Sequence, residues 1–379
     1  MGKLRLLLAI SVIIAHTTPI FGVSLIGGVH AVHLFYIISG FYMSMILNEK
    51  YTGRHSYRLF ITNRFLRLYP VYWAVLIITI VFSFYLYAKS GHENGGLLSA
   101  FFSYFDVLNK PWKLFLILVN VLIIGQDLVM FMGMNSGTGN LLLTTNFRNS
   151  NPPVFSFLLV PQAWTLAIEL CFYLVAPFLL RRSVRLICTL IAVAFALRLI
   201  SFHFGFNYDP WNNRFFPFEL GFFLLGNLAY RIYIWLRINN LKTIYYPLSV
   251  AILFLVVIFF YHLPFKTPVL YAVTFICIPV IFLGSKLDKI DRMLGELSYP
   301  VYISHYLLIQ VALYLDIPRT GLFITIFSVL FSILLNEIIS RRVENLRQRR
   351  MRMASGLTTA IRSDHLIEHS TFVKTSDVR

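Results

Sequence analysis

Charge is scarce in this chain: Asp, Glu, Lys and Arg make up 13% of its 379 residues, while 58% are hydrophobic. That balance excludes a soluble globular domain, in which roughly a quarter of residues are charged. Cysteine is scarcer still. Cys171, Cys188 and Cys277 lie inside apolar runs, where they act as small buried hydrophobes, so no disulfide framework is implied and the redox compartment stays open. The N-terminus lacks the short apolar core and small-residue cleavage site of a secretory signal, and its first apolar run therefore reads as an uncleaved span. No internal repeat is visible. Acidic side chains are also few, 16 against 33 basic ones, which leaves a formal charge of +17. In a soluble protein that excess would suggest nucleic acid, but here its placement points to a membrane surface and no nucleic-acid partner is expected.

Long apolar runs are what the sequence has in abundance, and they predict an all-α, polytopic bundle of transmembrane helices. Runs near the length that crosses a bilayer as helix fall at roughly 4–22, 28–47, 69–88, 157–180, 186–203, 214–234, 244–262, 268–284, 297–314 and 320–340. Basic residues gather between them: Lys50, Arg54, Arg58, Arg64 and Arg67; Arg181, Arg182 and Arg185; Arg231, Arg237 and Lys242; Lys286, Lys289 and Arg292; and Arg341, Arg342, Arg347, Arg349, Arg350 and Arg352. By the positive-inside rule these segments face the cytoplasm, and about ten spans with both termini inside satisfy all of them. One further run, Trp112 to Gly133, would break that alternation if it crossed, and it carries Asn120, Gln126 and Asp127. It is expected to be re-entrant or interfacial, which is tolerable where its polar groups face protein or water; an eleventh ordinary span is the alternative. The Asn/Gly/Ser/Thr-rich stretch Gly133–Pro153 reads as an external loop. Residues 1–340 then form the membrane domain, and 341–379 a basic cytoplasmic tail that is partly disordered.

Ionisable residues inside the apolar runs carry the chemistry. In RLLLAISVIIAH, Arg5 and His16 are eleven residues apart, so on a helix they share one face about 16 Å apart along its axis. Arg5 at a helix end is ordinary snorkelling, whereas a histidine at the depth of His16 faces either a neighbouring helix or a wet cavity. His30 and His33 have a spacing that could hold a metal, but no Cys or carboxylate lies nearby in sequence to complete the site, and no metal is expected. Ser39-Gly40 falls mid-run, where small residues permit close packing. Glu169, five residues after Trp164, and Glu219, Glu296 and His305 place further ionisable groups in other runs. Spread over several helices, they imply a polar interior that a mere anchor would not need. Arg64 and Arg67, three apart at the inner surface, suit bidentate phosphate recognition, with lipid headgroups and topology signalling as the plainer reading.

RLLLAISVIIAH resembles the arginine-or-lysine, ten residues, histidine motif of the membrane-bound acyltransferase-3 family, which includes bacterial O-acetyltransferases of surface polysaccharides. GVHAVHLFYIISGF, FITNRFLRLYPVYW, AWTLAIELCFYLVAP and LGELSYPVYISHYLL resemble four further motifs of that family, in order along the chain. Thr165 stands where serine is usual, the aspartate-glycine commonly found before the arginine is missing, and no extracytoplasmic hydrolase-like domain is appended. The resemblance implies transfer of an acyl group, commonly acetyl, from cytoplasmic acyl-CoA to a hydroxyl on a glycan or undecaprenyl-linked sugar, in the bacterial inner membrane. It implies His16 as general base or acyl relay, Arg5 steering the donor or stabilising developing charge, and Arg64 and Arg67 holding the CoA phosphates. Glu169 and Trp164 would orient His16 or bind the sugar, with Ser39 and His305 as further substrate contacts. The competing reading is a flippase of lipid-linked sugar or an exporter of small acids, which also buries ionisable residues but commonly shows pseudo-symmetric halves. A non-catalytic assembly subunit comes third.

Overall fold

Each of the ten predicted spans contains one helix in the computed structural model, which describes residues 1–53, 56–90, 94–240 and 244–353. Arg54 and Lys242 of the basic segments, and the tail beyond Met353, lie outside the described residues. The helices in the spans are α1 (Gly2–Ala15), α2 (Gly27–Glu49) and α3 (Ser56–Lys89) before the polar insertion. The insertion holds α4 (Ser99–Tyr104), α5 (Lys110–Leu122), α6 (Gln126–Val129) and the strands β1 (Met132–Asn135) and β2 (Asn140–Leu143). Then come α7 (Trp164–Leu179), α8 (Val184–His203), α9 (Phe216–Ile238), α10 (Tyr245–Ile258), α11 (Lys266–Ser285), α12 (Lys289–Tyr314) and α13 (Gly321–Leu335). Six helical stretches are long and apolar enough to cross a membrane: α2, α3, residues 161–179, α8, α11 and residues 321–353. Large apolar side chains stand exposed on the outward faces, among them Ile77 and Val81 on α3, Leu199 on α8 and Leu330 on α13. Such a surface is stable only in lipid, and the protein is a multi-pass membrane protein.

Two helices differ instructively from their predicted spans. α1 stops at Ala15 rather than running to about residue 22, so it has 14 residues, about 21 Å of helix. Pro19 is the reason, since it disfavours helical backbone at Thr18, and the Thr17 hydroxyl turns back to the Ile13 carbonyl at 2.7 Å. His16 therefore caps a helix that ends within the bundle. α3 begins at Ser56, well before the predicted 69, so the basic segment before it is itself helical and Arg64 and Arg67 lie on one face of α3.

At the centre, α2 packs along α9 and α1 along α12. Gly40 of α2 and Gly226 of α9 permit the first contact, because a Cβ on either would strike the other helix's backbone carbonyl, that of Phe223 or Ile37. α12 starts where Asp288 caps it, accepting from the backbone N–H groups of Asp291 and Ile290 at 3.1 and 2.9 Å. Those donors, Asp291 foremost, hold the Asp288 carboxyl below the usual carboxylate range.

The segment that upset the charge alternation is a broken helix. α5 has 13 residues, about 20 Å, and Ile123 and Gly125 turn the chain with φ of 65° and 88°. Its last carbonyls are met from α3: those of Asn120 and Leu122 accept from the Tyr72 and Tyr69 hydroxyls, and that of Val121 from the Trp73 indole at 2.9 Å. Helix ends at membrane depth need such partners. The Asn120 side chain adds bonds to Phe157 O and Leu159 N, both 2.8 Å, and the Gln126 amide donates to Tyr72 at 3.0 Å. The stretch read as a plain external loop contains a two-stranded antiparallel hairpin, β1 paired with β2 from Met132–Leu143 to Asn135–Asn140.

Candidate active site

α1 separates two clusters. At its C-terminal end the exposed His16 ring stacks on the His305 ring, centroids 5.3 Å apart and planes inclined by 28°, with Tyr306 edge-on at 6.0 Å. His305 is fully buried on α12. Its Nδ1 lies 2.6 Å from the Tyr302 carbonyl, which fixes the proton there and leaves Nε2 with a free lone pair; Nε2 has no partner among the described residues. Two other side chains next to this pair show the same economy. The Gln162 amide nitrogen donates to Ile303 O at 2.6 Å while its oxygen is buried and unmet. Arg214 binds Asp209 through Nε and through Nη2 (2.9 Å) while its Nη1 is buried and unmet. Three such atoms thus lie in one neighbourhood, each with unused hydrogen-bonding capacity toward the described residues.

Trp164 opens α7 beside this group and is 8% exposed, because the Arg214 guanidinium covers its ring at 4.1 Å. The face of the Trp164 ring is occupied by Arg214, which lies within electrostatic reach of His16 and Tyr302. Thr165 keeps the hydroxyl chemistry of the usual serine, pairing with the Tyr302 hydroxyl at 2.9 Å.

Toward the other end of α1, Glu169 Oε1 accepts from Ser39 at 2.6 Å and from Tyr173 at 2.5 Å, which joins α2 to α7. Glu169 thus bonds Ser39 and Tyr173, while the ring contacts of His16 run to His305 and Tyr306. Arg5 lies within electrostatic reach of Arg67, Glu169, Tyr42 and Tyr173. Arg64 is 4% exposed with its guanidinium 5.9 Å over the Phe60 ring, and Arg67 one turn on is exposed. The structure therefore gathers Arg5, Arg64, Arg67, Glu169 and Ser39 toward one end of α1, and His16, His305 and Trp164 at the other.

Of the remaining ionisable candidates, Glu296 is exposed rather than interior. His33, Glu219 and Arg198 form a separate buried chain: His33 Nε2 lies 3.1 Å from Glu219 Oε2, and Arg198 Nη1 3.2 Å from Glu219 Oε1. The other nitrogen of His33 meets Tyr271 at 2.5 Å, and His30 meets Thr267 at 3.1 Å, so these histidines are engaged by protein. Sequence reasoning passed over Arg214 and Arg198. Both sit where the charge rule expects no cation, Arg198 inside an apolar run and Arg214 just past an outer loop, and that misfit was the available signal.

No curated protein and no solved structure matches the chain. Residues 4–337 match the family model described as an acyltransferase domain, a span that takes in both Arg5 and His16 and every other candidate residue named above. The chain belongs to the membrane acyltransferase-3 family, and it is an acyltransferase enzyme.

Proposed function

We propose that this enzyme moves an acyl group, most simply acetyl, from cytoplasmic acyl-CoA to a hydroxyl of a cell-surface glycan or its undecaprenyl-linked precursor in the bacterial inner membrane. The observation that carries the reading is the polarity of α1: unneutralised arginines near one end and an accessible histidine with unmet polar neighbours at the other. About 16 Å of helix separates Arg5 from His16, a distance that an extended pantetheine arm can bridge. The anionic end of the donor suits Arg64 and Arg67, with Arg5 guiding the arm past Glu169 and Ser39. At the far end His16 takes the proton of the acceptor hydroxyl as its oxygen attacks the acyl carbon. The C–S bond then breaks, and the protonated His16 returns the proton to the CoA thiolate. A variant in which His16 itself becomes acylated uses the same groups in two steps. His305 supports the His16 ring by stacking, and Trp164 holds Arg214 at the acceptor side. No metal enters this scheme.

Family membership favours this over the transporter, which would move a solute without consuming thioester. The test is loss of acetyl-CoA thioester by the purified protein, wild type against His16→Ala, with and without an undecaprenyl-linked glycan extract. Turnover that needs both His16 and the extract supports the reading; equal turnover by His16→Ala removes His16 as base.

A further inference from the structure

α13 does not end at Leu335: a π turn, Asn336–Ser340, carries it on as helix to Met353, so the first part of the basic tail is a rigid arm. Its arginines are not equivalent. Arg341, Arg342 and Arg349 are exposed, whereas Arg347 and Arg350 are partly buried. Arg350 Nη2 donates to Thr62 Oγ1 of α3 at 3.0 Å, which pins the arm beside Arg64. One turn earlier Arg347, its side chain 13% exposed, holds Glu344 at 2.5 Å and lies within electrostatic reach of both Arg64 and Arg67. The Nε atoms of Arg64 and of Arg347 are both buried without a partner among the described residues.

Two Arg-x-x-Arg pairs, Arg64 with Arg67 and Arg347 with Arg350, thus come together from opposite ends of the chain, with Glu344 as the carboxylate paired among them. Like charges so gathered repel unless an anion joins them, and guanidinium groups bind phosphate through paired N–H donors. We propose that the arm at 341–353 forms the second wall of the donor site, where Arg347 and Arg350 clamp the phosphate groups of the acyl donor from the side opposite Arg64 and Arg67. This rests on the acyl-CoA reading above and adds to it a ligand with several phosphates gripped from two helices. A phospholipid headgroup offers the same phosphate chemistry, and the experiment separates the two sources.

Binding of CoA to the full-length protein in detergent is measured for wild type, Arg347→Gln, Arg347→Lys and Arg350→Gln, and thermal stabilisation by phosphatidylglycerol is measured on the same samples. The expected result is CoA affinity about tenfold or more weaker in Arg347→Gln, as for loss of one charge-assisted pair. Partial recovery is expected in Arg347→Lys, which keeps the charge but not the fork, and the lipid response should not change. Arg350→Gln should weaken CoA in the same direction, so the inference does not depend on one variant folding. CoA binding equal to wild type in both glutamine variants overturns the clamp and leaves the acyltransferase reading intact. Failure of folded wild type to bind CoA overturns both. Loss of the lipid response with CoA affinity unchanged overturns the clamp in favour of a headgroup site.

Discussion

Toward the N-terminal end of α1, Arg5, Arg64, Arg67 and Arg347 bring together charge that Glu169 and Glu344 only partly balance; at its C-terminal end, His16 and His305 lie ring on ring among carbonyls and hydroxyls. In the proposed scheme the first arrangement holds the anionic donor, since guanidinium donors grip phosphate with little regard to what hangs from it. In the same scheme the second hands a proton over: His305 Nδ1 is committed to a carbonyl, while the exposed His16 has no hydrogen-bond partner among the described residues. If the proposed function holds, affinity for the donor and the rate of the chemical step reside in different residues, and substitutions should pull them apart.

The sharpest way to break that division is His16→Ala. General acid–base catalysis contributes about 10²- to 10⁴-fold, so turnover is expected to fall by that much while CoA binding stays within a few-fold of wild type. A parallel loss of binding would mean that the two ends are one site. Next in size is the double change Arg64→Ala with Arg67→Ala. Each charge-assisted hydrogen bond is worth about 1.5–3 kcal/mol, so the Michaelis constant for acyl-CoA should rise at least tenfold while that for the acceptor hardly moves. The reverse pattern would return these arginines to topology or lipid. Smaller again is Trp164→Leu, which removes the ring under Arg214. Cation–π stacking of this kind is worth about 0.5–2 kcal/mol, so the acceptor's Michaelis constant should rise a few-fold with that of the donor unchanged. Competition assays with both substrates varied would decide it.

Much of this was legible in the chain. Apolar runs located a helix within each predicted span, and the spacing of Arg5 and His16 put them near opposite ends of α1. Asn120, Gln126 and Asp127 marked the segment in which the helix breaks. What sequence could not supply was pairing over long separations. His16 and His305 meet because α1 packs on α12, and Glu169 meets Ser39 because α7 packs on α2; no local pattern writes down such contacts. Trp164 meets Arg214 from a distant part of the chain, and nothing near it in sequence announces that contact. The first turns of the basic tail read as a helix end, as found, but nothing in the sequence announces that Arg350 docks this helix on Thr62 of α3.

Asn120 offers the smallest effect and the cleanest control. It lies at the end of α5, and its amide spans three backbone groups: it donates to Leu116 O and Phe157 O and accepts from Leu159 N, each at 2.8 Å. In Asn120→Ala the Phe157 and Leu159 groups lose that partner, and an unmet buried group costs about 1–3 kcal/mol. The expected outcome is a lower melting temperature in detergent with neither Michaelis constant altered beyond twofold. Should the donor constant alone rise, α5 would be acting on the arginine cluster through Tyr69 and Tyr72, which bind its carbonyls from the same helix that carries Arg64 and Arg67. The broken helix would then be the part that sets how α3 presents its arginines, and the separation of holding from chemistry would extend to a third region of the fold.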